Sequence, residues 1–165
     1  MAIDNTYQAI ATQTLGSAAA SVTFSSISGA YTDLVLSCAI TAGNTGDGYL
    51  RFNSDTATNY SDTVLRGNGS AASSVRDSSA AGIDIGPTSL ITGTEVGPVK
   101  IQIQNYSNST TYKTCLIRFD EATNSVSAIV GLWRNTNAIT AIDIVSRSGT
   151  WGVGSTFTLY GIKAA

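Results

Sequence analysis

The reading of the chain turns on Ser125–Ile162, SVSAIVGLWRNTNAITAIDIVSRSGTWGVGSTFTLYGI. It holds three apolar-alternating runs, separated by an Asn/Thr turn and a Gly/Trp turn. In the third run Phe157 and Leu159 point one way while Thr156, Thr158 and Tyr160 point the other, the period of two that marks a half-covered strand. The middle run sets Ile139, Ala141, Asp143 and Val145 against Thr140, Ile142, Ile144 and Ser146. Apolar residues on both faces predict an interior strand. Gly149, Gly152 and Gly154 surround Trp151 and supply the backbone freedom a tight turn needs.

Working outward, the same alternation recurs. Val22 and Phe24 predict a short strand; Leu34, Leu36, Cys38 and Ile40 predict a stronger one, and Leu50 with Phe52 a third. Val99, Ile101 and Ile103 open a hairpin whose tip falls near Asn108-Ser109, and Cys115, Ile117 and Phe119 form its return. Gly82–Ile85 and Leu90–Ile91 flank Pro87 and read as edge pieces, since proline donates nothing to a ladder. Ser70–Ala81, SAASSVRDSSAA, is small and polar and predicts an exposed loop. Nine or ten strands without a long helix predict an all-β fold, an antiparallel β-sandwich of jelly-roll-like form. Residues 1–165 are expected to make one domain, with residues 1–15 as either a weak strand or an extended N-terminal arm.

Composition narrows the chemistry. The net charge is −2 and only 12% of residues are charged, about half the usual share, while Ser and Thr supply roughly a quarter. The nine basic residues are scattered singly, so no nucleic-acid partner is expected. No run approaches the roughly 18 apolar residues of a membrane span. The opening MAIDNTYQAIATQTLG lacks a basic region followed by an apolar core, so synthesis in a cytoplasm is expected. Histidine is absent, which removes the commonest general base and metal ligand together. Cys38 and Cys115 each sit in an apolar run and are expected as buried thiols.

What remains are weak candidates. Asp84, Glu95, Asp120 and Glu121 could form a carboxylate pair for glycoside hydrolysis, although acids in turns are ordinarily solvated. Asp47–Asp62 is rich in loop oxygens but does not follow the twelve-residue calcium spacing. No catalytic residue, metal site or cofactor is therefore read, and no enzyme is expected. Trp133 falls in an apolar run and is placed in the core or at its rim. Trp151, between glycines, is a candidate for an exposed partner contact, as are Tyr7 and Ile10 on the N-terminal arm.

The string GLWRNTNAITAIDIVSRSGTWGVGSTFTLYGI resembles the C-terminal segment of a group of small tailed-phage virion proteins. LRFNSDTATNY (Leu50–Tyr60) and YTDLVLSC (Tyr31–Cys38) are similar to other pieces of the same group. The resemblance implies a structural role on the particle. First comes capsid decoration by a cement protein bound to the major capsid protein, located in the virion and assembled as a trimer. The alternative is a tail fibre or spike component that binds a host receptor or carbohydrate. It implies no catalytic residues.

Overall fold

The computed structural model describes residues 6–41, 47–86, 96–121 and 125–163. Within them lie twelve strands and no helix. They are β1 (Tyr7–Thr14), β2 (Ser21–Phe24), β3 (Asp33–Thr41), β4 (Gly48–Phe52), β5 (Tyr60–Gly67) and β6 (Ala72–Ala80). The remainder are β7 (Ile83–Asp84), β8 (Val96–Gln104), β9 (Lys113–Glu121), β10 (Ser125–Trp133), β11 (Ile142–Ser146) and β12 (Thr156–Ile162). Every pairing is antiparallel. One sheet has eight strands in the order β1-β12-β3-β8-β9-β10-β5-β6, the other four in the order β2-β11-β4-β7.

Alternation decides which face is covered. Along β8 the exposed and buried positions follow each other without a break, burying Val99, Ile101 and Ile103. The same inward set continues on β9 as Cys115, Ile117 and Phe119, on β3 as Leu34, Leu36 and Cys38, and on β12 as Phe157 and Leu159. Val22, Phe24, Leu50, Phe52, Ile142 and Ile144 answer from the small sheet, and together they make one core between two stacked sheets. β11 lies between β2 and β4, the interior place its two-sided apolar pattern predicts, although it starts at Ile142, after the buried Ile139. Both cysteines are buried and unpaired, and burial pushes each thiol up to about 12.

Three expectations are revised. Residues 7–14 are no free arm. They form the outer strand β1 against β12 with Tyr7 opposite Ile162 and Thr14 opposite Thr156, because β12 offers them an unoccupied ladder. Ser70–Ala81 contains the nine-residue strand β6, paired with β5 across a turn held by the Asn68 side chain, whose Oδ1 accepts the N–H groups of Ser70 and Ala71 at 3.1 and 2.8 Å. Trp151 is 1% exposed rather than presented to a partner. Its indole donates to the Ile144 carbonyl at 3.2 Å, its ring meets Phe157, and Gly48 leaves the room it occupies. The Leu90–Ile91 edge piece lies outside the described residues.

The two quoted stretches Leu50–Tyr60 and Trp133-Arg134 interlock. Asp55 Oδ2 accepts the Trp133 indole N–H at 2.8 Å, and Arg134 Nη2 donates to the Thr58 and Tyr60 carbonyls at 3.2 and 3.0 Å. Trp133, Tyr60 and Phe52 pack as a ring cluster with centroids 5.6 to 6.5 Å apart. These residues brace the end of the sandwich, and Trp133 lies in the core as its run predicts.

The sheets pack closely where β7 meets β10. A Cβ on Gly131 would lie 2.5 Å from Ile83 Cγ2 and 2.9 Å from Cys115 Sγ. Gly131→Ala should therefore cost about 1–3 kcal/mol, the range for overpacking a core. Gly67→Ala, whose nearest new contact is Val126 Cγ1 at 4.0 Å, should change stability by about 0.5 kcal/mol or less. Urea unfolding of both variants checks this, and equal effects would contradict the close approach.

Candidate functional site

Two surface features follow from laying four strands on eight. The first is a groove beneath the β5–β6 hairpin. The small sheet ends at β7, which packs on β10 and β5, so the hairpin's inner face beyond it stays open. Three rows cross that face in register: Arg66 with Ser73, Val64 with Val75, and Asp62 with Asp77. With Asp84 from β7 and Arg147 just after β11, they line a groove of about 200 Å³. Its floor is aliphatic, its carboxylates gather at one end and Arg66 stands at the other.

The carboxylate end is electrostatically tense. Asp62 is buried, and its Oδ2 accepts the Asp84 backbone N–H at 3.0 Å, so a side chain of the large sheet satisfies the outer strand of the small one. Asp47 Oδ2 accepts from Arg147 Nη1 at 3.0 Å, and the Arg147 guanidinium lies 4.3 Å from the Tyr49 ring centroid. Burial raises the Asp47 carboxyl above its usual range, opposed by Arg147. It raises Asp62 as well, opposed by the Asp84 N–H and reinforced by Asp77. Asp84 moves furthest. Burial, with repulsion from Asp47 and Asp62, pushes it up to about 7 against the Gly86 N–H and Arg147.

The second feature is the outer face of the large sheet. Leu65, Leu116, Val126 and Val130 are 59, 49, 53 and 57% exposed. Leu116 stands opposite Val130, and Ala128 opposite Leu65, so the aliphatic groups adjoin across β9, β10 and β5. Charge is interleaved with them: Arg118 on β9 stands opposite Ala128 and Asp120 opposite Val126, Arg118 Nε contacts Asp120 Oδ2 at 3.0 Å, and Lys100 follows opposite Arg118 on β8. Shallow depressions of about 280 and 320 Å³ flank Leu116.

The residues singled out from sequence scatter. Tyr7 is 52% exposed and meets Tyr160 edge-on at 6.2 Å, bordering a shallow hollow with Val35 and Ile162. Ile10, at the bulge in β1, packs against the core margin. Of the carboxylates considered for hydrolysis, Asp84 enters the groove and Asp120 lies on the outer face, so the fold does not bring them together. Glu95 and the Glu121 side chain lie outside the described residues. Asp55, from the candidate calcium stretch, accepts from the Ala57 N–H, Asn59 Nδ2 and Trp133 Nε1, and among the described residues no cluster of three acids or cysteines is arranged to hold a metal. The groove itself was not read from sequence. Its three carboxylates come from three strands: the hairpin register pairs Asp62 with Asp77, and the Asp84 backbone N–H is held by Asp62.

No protein-family model matches the chain, and no curated protein matches its sequence.

An acid whose pKa is raised on folding makes the native state bind extra protons between the unfolded and folded values. Stability then falls as pH rises from about 4 to about 7. Asp84→Asn, which keeps an oxygen acceptor for the Gly86 N–H, removes that cost. A shift of this size has a ceiling of about 4 kcal/mol, and water at the open groove reduces the expected gain to about 1–2 kcal/mol at pH 8. No gain is expected at pH 4. Urea titrations at both pH values check this, and a loss of stability at pH 8 would show that the ionised carboxyl is favoured.

Proposed function

We propose that this chain is a non-enzymatic structural subunit of a phage virion. It decorates the capsid by laying the outer face of its large sheet on the major capsid protein. The aliphatic cluster of Leu65, Leu116, Val126 and Val130 carries the reading. Soluble monomers rarely expose large contiguous apolar patches unless they meet a partner, and here the cluster lies on an extended sheet beside the Arg118–Asp120 pair, which offers a partner both apolar and charged contacts. The resemblance of the C-terminal stretch to tailed-phage virion proteins agrees with it. The mechanism is passive. Each copy covers surface on neighbouring capsid subunits, and many weak contacts around a shell add up to resistance against heat and internal pressure.

A second reading, an appendage that binds a host receptor or carbohydrate, draws support from the groove. Carboxylates, an arginine and a serine around an aliphatic floor match the mixed polar and apolar surface of a sugar ring.

Leu116→Lys and Val130→Lys discriminate these. Both positions are half exposed in the free subunit, so unfolding free energy should change by only about 0.5 kcal/mol. Incorporation into particles should fall about tenfold or more, the consequence of losing about 1.4 kcal/mol at the docking face. Quantifying copies per purified particle reads the result. Normal incorporation of both variants, or absence of the wild-type chain from particles, would refute capsid docking. Retained glycan binding by the same variants would favour the appendage.

A further inference from the structure

The eight-stranded sheet has two outer strands, and they differ in how they end it. β1 carries a bulge between Ala9 and Ala11 that interrupts its ladder. β6 runs in regular register against β5 from Ala72 to Ser78, contains no proline, and exposes every side chain from Ala72 to Ser79. Its far side presents a row of backbone N–H and C=O groups without a neighbouring strand among the described residues. Such an edge templates pairing with another strand.

The sequence of β6 restricts what that strand can be. In an antiparallel pairing of two copies about a twofold axis normal to the sheet, residues on one face must meet residues on the same face, so the axis passes through a residue. An axis at Arg76 opposes two arginines and sets Val75 against Asp77. An axis at Asp77 opposes two aspartates beside the already repelling Asp62 and Asp84. An axis at Val75 opposes two valines, sets Arg76 against the partner's Ser74, and sets Asp77 against the partner's Ser73. It gives the longest overlap, Ala72 to Ser78, in which no like charges face each other. Val75 is 62% exposed and lines the open side of the groove, so this register covers it.

We propose that two copies of the chain join through β6 in this register, making one continuous sheet across the dimer. The two grooves then merge into a trough whose floor runs Val64, Val75, the partner's Val75, the partner's Val64. Each end carries Arg66 and Ser73 in one row with the partner's Asp77 and the partner's Asp62, because every Asp77 lies beside the partner's Ser73. The groove of a single subunit is half of this trough. Docking through the outer face is a separate matter, and Leu116→Lys should leave self-association unchanged.

Single cysteines along β6 test both the partner and the register. Directly opposed residues in an antiparallel pair have Cα atoms about 4.5–5.5 Å apart, within disulfide range, whereas residues offset by two lie about 7–8 Å apart, outside it. Val75→Cys should oxidise to a covalent dimer at least about tenfold faster than Arg76→Cys or Asp77→Cys. The native Cys38 and Cys115 are buried and should stay silent. All three substitutions are at exposed positions, and light scattering of the unmodified chain should give twice the chain mass. A monomer at about 100 µM, a trimer, or faster cross-linking through Arg76→Cys or Asp77→Cys would overturn the proposal.

Discussion

Four strands cannot cover eight, and that mismatch shapes the molecule. The apolar side of the large sheet must be shielded, and the small sheet reaches only as far as β7, which packs on β10 and β5. Gly131 admits Ile83 and Gly48 admits Trp151, at separations a Cβ would forbid. Beyond β10 the large sheet continues as the β5–β6 hairpin with nothing stacked on its outer end. There the inward positions change character, from Ile129 on β10 to Asp62, Arg66, Ser73 and Asp77 on the hairpin. The sequence has stopped building core because, among the described residues, no second layer lies there to receive it.

Where the core stops, charge begins. Four of the eleven acidic residues, Asp47, Asp62, Asp77 and Asp84, gather at this boundary. Two have plain structural duties, since Asp62 satisfies the outer strand of the small sheet and Asp47 anchors Arg147. Burial first, and repulsion from Asp47 and Asp62 after it, push the Asp84 carboxyl upward. In a chain with so few charges, such a concentration marks a border that has to stay wet while keeping the sheet edge ordered.

Much of the fold was legible because burial on one face prints a period of two on the sequence. β8, β9, β10 and β12 alternate cleanly, and each of them has one face on the core and the other on solvent. β6 was illegible for the converse reason: with both faces exposed, Ser73, Ser74, Ser78 and Ser79 carry no periodic signal, and only its pairing makes it a strand. Trp151 misled because glycines on either side suggest an exposed turn. The turn in fact folds its indole inward against Gly48, a contact more than one hundred residues away in the chain. The groove was hidden by the same distance, since cross-strand register rather than local spacing brings Asp62, Asp77 and Asp84 together.

The outer face shows that alternation does not by itself mean apolar within and polar without. On β10 the outward residues Val126, Ala128 and Val130 are as aliphatic as a core strand, whereas outward residues on β8 include Lys100, Gln102 and Gln104. Both strands are interior to the same sheet and share the same solvent, so strand propensity alone does not separate them. Nor does folding require the difference, since these side chains stay half exposed in the finished subunit. Keeping them costs solubility, a cost that a low-charge surface does little to offset. The outward aliphatic groups of β10 thus follow neither from strand propensity nor from the core, and on β9 they face the Arg118–Asp120 pair as well as Leu116.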